Sequence, residues 1–296
     1  MKPRVLVILG QTATGKSDLA VKLAKKVNGE IISADSRQVY KGLNIGTGKI
    51  TKKEMRGIPH HLLDIADPRK QFNAAEYKKL ADEKIKEILS RGKVPIICGG
   101  TGFYIDAITK GFILPEVPPN KKLRKILGKK HVSVLFKILK KLDKNRAKNI
   151  DPKNKVRIIR AIEIASALGK VPKIQENKSD YKFIKIGLYL PEKKLREKIN
   201  ERLLGRIKKG MLKEGRGLSN VRMKELGLEY KHISLYRHKN ITKAELIEKL
   251  NTEIYQYAKR QMTWFKRDQE IQWFHPREYQ KIEKYIRVNF NSLSSF

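Results

Sequence analysis

Near its start the chain passes from a short apolar run directly into a glycine-rich loop. Val5–Leu9 is typical of a buried strand, and residues 10–17, Gly-Gln-Thr-Ala-Thr-Gly-Lys-Ser, match the phosphate-loop pattern GxxxxGK[ST]. Asp18–Val27 is typical of a helix, so the pattern lies in the strand–loop–helix order in which backbone N–H groups bind phosphate. The segment predicts an α/β fold with a phosphate site; a connection that binds nothing is the weaker alternative.

Every residue of this loop is a candidate for diphosphate binding: Gly10, Gln11, Thr12, Ala13, Thr14, Gly15, Lys16 and Ser17. Lys16 would supply a mobile positive charge, and the Ser17 hydroxyl could bind Mg²⁺. The loop alone does not distinguish a nucleotide kinase, an ATPase or a GTPase from another enzyme that binds a diphosphate.

Short apolar runs alternate with helical segments over the first half of the chain. Ile31–Ala34 and Val94–Cys98 are typical of buried strands, and Ala74–Ser90 between them has apolar residues at helical spacing. This alternation predicts an α/β fold in which a P-loop-containing parallel sheet carries helices on both faces.

The second half is predicted to be mainly helical. Lys182–Leu190 alternates like a strand, residues 191–261 have a helical pattern, and Gln272–Phe274 is a candidate last strand. We predict a catalytic core over residues 1–190, with a short return near residues 262–280, and a helical elaboration over residues 191–261.

The chain is strongly basic, with a net charge of +37 from 67 Lys and Arg residues against 30 Asp and Glu residues. Such a field attracts nucleic acids and anionic substrates, although much of the charge could be ordinary solvated surface. Residues 121–160 concentrate it, with sixteen Lys and Arg and two acidic residues. The single cysteine, Cys98, excludes an internal disulfide and a cysteine-rich metal site. No apolar stretch reaches the length of a membrane span, so a soluble cytoplasmic protein is expected.

Two further motifs follow predicted strands. Asp35 ends the second strand, at the edge where parallel sheets bind ligands; it could bind Mg²⁺ through water, act as a general base, or only cap the next turn. Gly99–Tyr104 (GGTGFY) ends the third strand, and its glycines allow close backbone approach beside the Thr101 hydroxyl. The adjacent His60 and His61 do not predict a metal site, because neighbouring side chains diverge.

Six segments together resemble one family: GQTATGKS, ADSRQVYKGLNIGTGK, IPHHLLD, GGTGFY, VRIIRAIEI and AKRQMTWF. In this order and rough spacing they are similar to the bacterial type of the tRNA isopentenyltransferase family, the tRNA dimethylallyltransferases. The resemblance implies a monomeric enzyme that transfers a dimethylallyl group from dimethylallyl diphosphate to N6 of the adenine 3′-adjacent to the tRNA anticodon. The phosphate loop would then hold a prenyl diphosphate with Mg²⁺, and not ATP.

The resemblance also implies roles for individual residues. Asp35 matches the general base of the family, and Thr101 matches the residue that contacts the adenine and shapes the reaction channel. Lys16, the loop N–H groups and Mg²⁺ would stabilise the departing diphosphate. Arg202, in EKINERLLGRI, matches a diphosphate-binding arginine, although Arg206 is close enough to be the match instead.

The implied contacts to the tRNA anticodon stem-loop lie in two segments and at two single positions. They are Asp35, Ser36, Arg37, Gln38, Thr101, Arg124, Val156, Arg157, Ile158, Ile159 and Arg160. The helical elaboration at 191–261 is predicted to add contacts to the tRNA backbone. For Arg157 and Arg160 the alternative is the solvated basic face of an amphipathic helix.

The sequence departs from the family pattern at Gln11, where Pro is usual, and at Thr14, where Ser is usual. Residues 226–230 are also a looser match. Two other functions stay open: a small-molecule kinase that uses ATP on the same loop, and a basic RNA-binding protein whose loop is a relic.

Overall fold

The computed structural model describes residues 2–290. Its strands are β1 (Arg4–Gly10), β2 (Gly29–Ala34), β3 (His60–His61), β4 (Val94–Gly99), β5 (Phe112–Ile113), β6 (Gln175–Glu176), β7 (Lys182–Leu188) and β8 (Gln272–Phe274). Its helices are α1 (Lys16–Lys26), α2 (Lys52–Met55), α3 (Ala74–Ser90), α4 (Gly102–Thr109), α5 (Lys121–Gly128), α6 (Val132–Leu142), α7 (Lys144–Lys148), α8 (Lys155–Leu168), α9 (Glu192–Lys208), α10 (Asn220–Leu226), α11 (Leu228–Arg237), α12 (Lys243–Phe265) and α13 (Tyr279–Asn289), with a short 3₁₀ turn at Met211–Lys213. Among these helices, none combines the length and hydrophobicity needed to cross a membrane.

Six of the strands form one parallel sheet in the order β3-β2-β4-β1-β7-β8. The central strand, β1, lies between β4 and β7, with Leu6 opposite both Ile96 and Ile184. Because every pair is parallel, the carboxyl ends of the strands meet at one edge, where open α/β sheets bind their ligands. The segments that follow β1, β2 and β4 are therefore neighbours at that edge.

The side chains of β1 alternate between two hydrophobic cores. Leu6 and Ile8 pack with α1 and α13 on one face of the sheet, whereas Val5, Val7 and Leu9 pack with α3 on the other. A parallel strand that is buried on both faces requires helices on both sides of its sheet. The predicted fold, a parallel P-loop sheet with helices on both faces, is confirmed.

The chain divides into two compact units, and the division does not coincide with the predicted boundary after residue 190. One unit comprises the residues up to Lys110 and those from Lys178 onward, and the other is Gly111–Asn177. The basic stretch at residues 121–160 thus lies in a unit of its own. Its helices enclose a separate core, which includes Leu135, Leu139, Ile158 and Ile162.

Residues 191–261 are helical, as predicted, but they belong to the same unit as the sheet. Leu203 of α9 and Leu250 of α12 share one hydrophobic core with Val39 and Leu43, which follow β2. Long-range packing of this kind leaves no break in the sequence pattern, which is why the boundary was misplaced. The assignment of these helices to tRNA binding stays a prediction.

Candidate active site

A cavity of about 550 Å³ opens at the carboxyl edge of the sheet. It is lined by the phosphate loop after β1, by the segment after β2, by the Gly99-Gly100 turn after β4, and by side chains of α9 and α12. The polar and charged lining residues include Thr12, Lys16, Ser17, Asp35, Arg202 and Gln261. Sequence motifs that are far apart in the chain therefore meet in one space.

The phosphate loop has the predicted position between β1 and α1. The Thr14 hydroxyl donates to the carbonyl oxygen of Gln11 at 2.8 Å, and the Lys16 ammonium donates to the same oxygen. The carbonyl of Gln11 thus draws the two ends of the loop together. The Thr at position 14 keeps the hydroxyl function of the usual Ser.

Two partly buried cations face the cavity. Burial, and to a lesser extent the neighbouring Arg202, lowers the pKa of Lys16 to about 8 against the opposing effects of Cys98 and Asp35. Burial and the nearby Arg206 lower the pKa of Arg202 to about 10. The pKa of a cation falls when the cation is removed from water and the negative charge around it does not compensate for the lost hydration. This end of the cavity is therefore suited to an anion, which would stabilise both charges.

Arg202 and Arg206 differ in their surroundings. The Arg202 guanidinium lies 3.3 Å from both the Thr12 hydroxyl and the carbonyl oxygen of Gly48, and it lines the cavity. Arg206 instead binds Glu229 at 3.1 Å and the carbonyl oxygen of Gly46 at 3.1 Å. Of the two arginines that the sequence left as alternatives, Arg202 is the one that lines the cavity.

The close approach of these two arginines explains why position 48, in the segment NIGTGK, is a glycine. A Cβ atom at this position would lie 2.5 Å from Nη2 of Arg202 and 1.9 Å from Nη2 of Arg206. Any larger residue would push both guanidinium groups away from the loop.

Glu214 anchors the same loop and was not predicted from the sequence. Its carboxylate accepts backbone N–H groups of Asn44, Ile45 and Gly46 at 2.6–2.7 Å, and the Tyr230 hydroxyl at 2.7 Å. A carboxylate that binds several N–H groups holds a loop firmly. No local pattern announces Glu214, because its backbone partners lie 168–170 residues away in the chain.

Asp35 closes the turn that follows β2 and also lines the cavity. Its Oδ1 accepts the backbone N–H of Arg37 at 2.8 Å and that of Gln38 at 3.4 Å. The capping role considered from the sequence is thus present, and it occupies one oxygen of the carboxylate. Both of these hydrogen bonds are accepted by Oδ1.

Thr101 is tied to Asp35 through Ser36. Its Oγ1 accepts the backbone N–H of Ser36 at 3.0 Å, and its hydroxyl also lies 3.3 Å from Ser36 Oγ. The Tyr257 side chain, which lines the cavity, hydrogen-bonds to Thr101 as well. Gln38 and Asp35 line the cavity, whereas Ser36, Arg37 and Thr101 lie outside its lining.

The buried amide of Gln261 joins two loops of the site. Its Oε1 accepts the backbone N–H of Thr12 at 2.7 Å, and its Nε2 donates to the carbonyl oxygen of Gly100 at 2.8 Å. Gln261 lies in the segment AKRQMTWF, where nothing in the local pattern separates it from an ordinary helical residue. Its place in the site was therefore not predicted from the sequence.

The tRNA-binding residues predicted in the unit at 111–177 fall into three groups. Val156 and Arg157 are exposed at the start of α8, and Ile159 is half-buried beside them. Ile158 is fully buried in the core of this unit, so its side chain supports α8 and has no surface to offer to RNA, contrary to the prediction. Arg124 and Arg160 are engaged with a common partner.

That partner is Glu163, which is only 2% exposed. Arg124 binds its carboxylate at 2.8 Å and Arg160 at 2.5 Å. Burial raises the pKa of Glu163, but the hydrogen bonds from the two arginines outweigh this effect, so its pKa lies below the usual value. Both arginines therefore have a structural role within the unit, whatever else they contact.

The two adjacent histidines have partners other than a metal. His60 Nδ1 lies 2.8 Å from the carbonyl oxygen of Ile58, and His61 Nε2 lies 2.7 Å from the carboxylate of Glu30. Glu30 in turn binds Arg91 and Lys93. His61 thus belongs to a polar network around Glu30 beside β2 and β3, whereas His60 hydrogen-bonds to the backbone.

Comparison with known proteins decides the family. The sequence model described as IPP transferase matches residues 38–268, which is well over half of the chain. The chain belongs to the IPP transferase family. The resemblance seen in its motifs is thereby confirmed, and so is the enzyme class, a transferase of prenyl groups. The kinase alternative is not favoured.

Individual relatives of this IPP transferase support the same family assignment. It is 41% identical over 302 residues to the tRNA dimethylallyltransferase of Halothermothrix orenii, covering 96% of this chain and 91% of the relative. The crystal structure of the full-length tRNA isopentenylpyrophosphate transferase from Bacillus halodurans aligns with a TM-score of 0.71 at 33% identity, covering 98% and 97% of the two chains. A eukaryotic dimethylallyltransferase acting on tRNA aligns with a TM-score of 0.68 at 28% identity, over 89% and 70% of the chains.

Proposed function

We propose that this IPP transferase moves a dimethylallyl group from dimethylallyl diphosphate to N6 of the adenine 3′-adjacent to the anticodon of a tRNA, and releases diphosphate. The observation that carries the proposal is that one cavity brings two partly buried cations, Lys16 and Arg202, together with the carboxylate of Asp35. The relatives named above, which carry the same activity in their names, support it.

The cationic end of the cavity suits the leaving group. As the bond between C1 of the dimethylallyl group and the diphosphate oxygen breaks, its electron pair stays on the oxygen and negative charge builds there. Lys16, Arg202 and the N–H groups of the phosphate loop would stabilise that charge. Their positions are preorganised, because Arg202 is already held by Thr12 and Gly48.

Mg²⁺ is expected to accompany the diphosphate. This ion prefers oxygen ligands and keeps several waters while one or two protein groups and the substrate phosphates hold it. The Ser17 hydroxyl lines the cavity next to Lys16, so its chemistry and position fit such a site. Bound Mg²⁺ would supply further neutralisation of the diphosphate charge.

Asp35 is placed to act as the general base. The adenine N6 is a weak nucleophile, because its lone pair is delocalised into the ring, and it must lose a proton when its bond to C1 forms. Oδ2 of Asp35 would accept that proton while Oδ1 stays bound to the Arg37 N–H. Thr101 is not part of the cavity lining, but it follows Gly100, which is, so we expect its contact with the adenine at the margin of the cavity.

The adenine must leave its stack to enter the cavity. Arg37 and Gln38 follow the proposed base directly and are expected to contact the RNA next to that adenine. The exposed Val156 and Arg157 of α8 are expected to meet the anticodon stem-loop as well. We expect a monomer to be active, as the family resemblance implies.

The test is to incubate the protein with dimethylallyl diphosphate, Mg²⁺ and unmodified tRNA, and to weigh the RNA by mass spectrometry. We expect one dimethylallyl group to replace one hydrogen, at the adenine next to the anticodon. A parallel reaction with ATP and no prenyl donor should consume no ATP. An unmodified tRNA together with ATP consumption would instead support the kinase.

A second arm addresses the RNA-binding alternative. The K16Q and D35N variants should still bind tRNA but lose the transfer. If the transfer is absent from the wild-type protein and tRNA binding is unchanged in both variants, the proposal fails and a binding protein with an unused loop is favoured.

A further inference from the structure

The side chain of Gln261 links the two halves of the cavity through backbone groups. Its Oε1 takes the N–H of Thr12 in the phosphate loop, and its Nε2 reaches the carbonyl oxygen of Gly100 after β4. Gln261 is 6% exposed and lies in the last part of α12. One buried side chain thus fixes the distance between the loop on the diphosphate side and the turn on the adenine side.

The chemistry of the two loops calls for a primary amide at this position. One loop presents a donor and the other presents an acceptor, and an amide offers both functions at the end of one side chain. A carboxylate could only accept, and an apolar side chain would leave two buried backbone groups without partners, which is costly. The fit is close, because a Cβ at Gly100 would lie 2.2 Å from Nε2 of Gln261.

Gln261 also turns one donor of the phosphate loop away from the ligand. The Thr12 N–H points to Oε1 of Gln261, and the Thr12 hydroxyl lies 3.3 Å from Arg202. Gln11 adds a weaker link to the same helix, 3.5 Å from its Nε2 to the carbonyl oxygen of Ala258. The entry of the loop is thereby attached to α12 and α9.

On the other side, the turn held by Gln261 leads directly to Thr101. The Thr101 hydroxyl binds Ser36, and Ser36 is adjacent to the proposed base, Asp35. A shift of Gly100 would therefore move Thr101 and the turn after β2 relative to the phosphate loop. Displacements of about 1 Å can lower the rate of a positioned reaction about 100-fold.

We propose that Gln261 is a positioning residue that aligns the diphosphate leaving group with the adenine nucleophile by setting the separation of the phosphate loop and the Gly99–Gly102 turn. The inference rests on the proposed prenyl transfer. It assigns to the segment AKRQMTWF a part in the chemistry that its sequence does not show.

The experiment compares Q261M with the matched control Q256M. Gln256 lies on the same helix, five residues earlier, and is exposed. Single-turnover transfer is measured with both substrates saturating, and binding of diphosphate and of tRNA is measured separately. We expect Q261M to slow the single turnover by about 30- to 100-fold while both dissociation constants change by less than about threefold. Q256M should match the wild type.

A second variant, Q261E, tests the positioning role of residue 261 through the pH dependence of the transfer rate. The ionised Glu can accept from Thr12 but cannot donate to Gly100, and its protonated form can do both. The rate of Q261E per folded molecule, with the folded fraction measured by circular dichroism at each pH, should therefore rise severalfold relative to wild type as the pH falls. A role in folding alone would change the folded fraction but not this corrected rate. This ratio also decides the matter if Q261M does not fold.

The outcomes separate the two proposals. If the wild type and Q256M do not prenylate tRNA, the proposed function fails. If both are active and Q261M turns over at the wild-type rate, or loses rate only in proportion to weaker substrate binding, the positioning role is overturned while the function stands. A pH-independent rate ratio for Q261E overturns it as well.

Discussion

At the scale of single residues, Asp35 has an observed structural task and a proposed chemical one. Oδ1 accepts the N–H of Arg37 at 2.8 Å and closes the turn after β2. This bond restrains the orientation of the carboxylate in a residue that lines the cavity. A fixed orientation is what a general base needs, because its lone pair must meet the proton as the new bond forms.

Replacing Asp35 with Asn should separate the two tasks. The amide oxygen can still accept from Arg37, but the group can no longer take a proton. We expect the single-turnover rate to fall by about 10²- to 10⁴-fold, the usual worth of a general base. Binding of inorganic diphosphate, measured by calorimetry, should change by less than about threefold.

Asp67 offers a matched control for this substitution. Its Oδ1 accepts the backbone N–H of Arg69 at 2.9 Å, which is the same kind of turn, and it does not line the cavity. D67N should leave the rate unchanged. A D35N rate equal to that of wild type would remove Asp35 as the base.

Lys16 predicts a pH dependence of diphosphate binding. Burial lowers its pKa to about 8, so the free protein loses this positive charge as the pH rises through that value. A bound diphosphate favours the charged form and raises the pKa again. Binding should therefore take up a proton near pH 8, and affinity should decrease above it.

Calorimetry in buffers of different ionisation enthalpy measures this proton uptake, with inorganic diphosphate as the ligand. K16Q should lose the part of the uptake that belongs to Lys16, whereas K25Q, an exposed position on the same helix, should behave as wild type. Equal uptake by K16Q and wild type would show that another group titrates.

At the scale of elements, α8 presents two kinds of arginine. Arg160 is committed to the buried Glu163, whereas Arg157 is exposed near the helix start. The ion pair of Arg160 with Glu163 therefore does not prevent Arg157, on the same helix, from binding a polyanion. The element thus supports both the core of its unit and the proposed contact to RNA.

The R157A variant tests that contact. Without the guanidinium of Arg157 to bind a phosphate, the protein should hold tRNA more weakly, and the slope of log affinity against log salt concentration should decrease by about 1. Filter binding at several salt concentrations gives the slope. K86A, which removes an exposed charge from α3, is the control. Identical slopes for R157A and wild type would argue against the contact.

At the scale of the whole molecule, the charge is unevenly shared. The net charge is +37, and sixteen Lys and Arg residues lie within residues 121–160, inside the smaller unit. The ends of that unit are adjacent: the N–H of Asn177 donates to the carbonyl oxygen of Gly111 at 3.2 Å, and β5 pairs with β6. Adjacent ends allow a unit to be removed without stretching the chain.

We therefore expect that replacing residues 112–176 by a short Gly-Ser linker leaves diphosphate binding within about threefold of wild type, since the cavity lies entirely in the larger unit. Affinity for tRNA should decrease about tenfold or more, because many phosphate-binding charges are removed. Calorimetry and filter binding measure the two quantities. Loss of diphosphate binding would mean that the larger unit does not fold alone.

The order of residues by itself determined the parallel α/β fold, the phosphate loop, and the meeting of Asp35 and Thr101 at one edge. These features follow from local signals, because apolar periodicity, glycine spacing and parallel connectivity act over short stretches of chain. The family followed from several such segments in a fixed order, and the match over residues 38–268 confirms it.

Only the tertiary structure decided which arginine faces the cavity, where the chain divides, and which side chains hold the loops. Gln261 and Thr12 are 249 residues apart, and Glu214 and Asn44 are 170 apart. A hydrogen bond from one side chain to a distant backbone group has no periodicity and no preferred spacing in the sequence. It exists because α12 packs against β1, and α9 and α12 pack on the segment that follows β2, which brings those particular groups within reach.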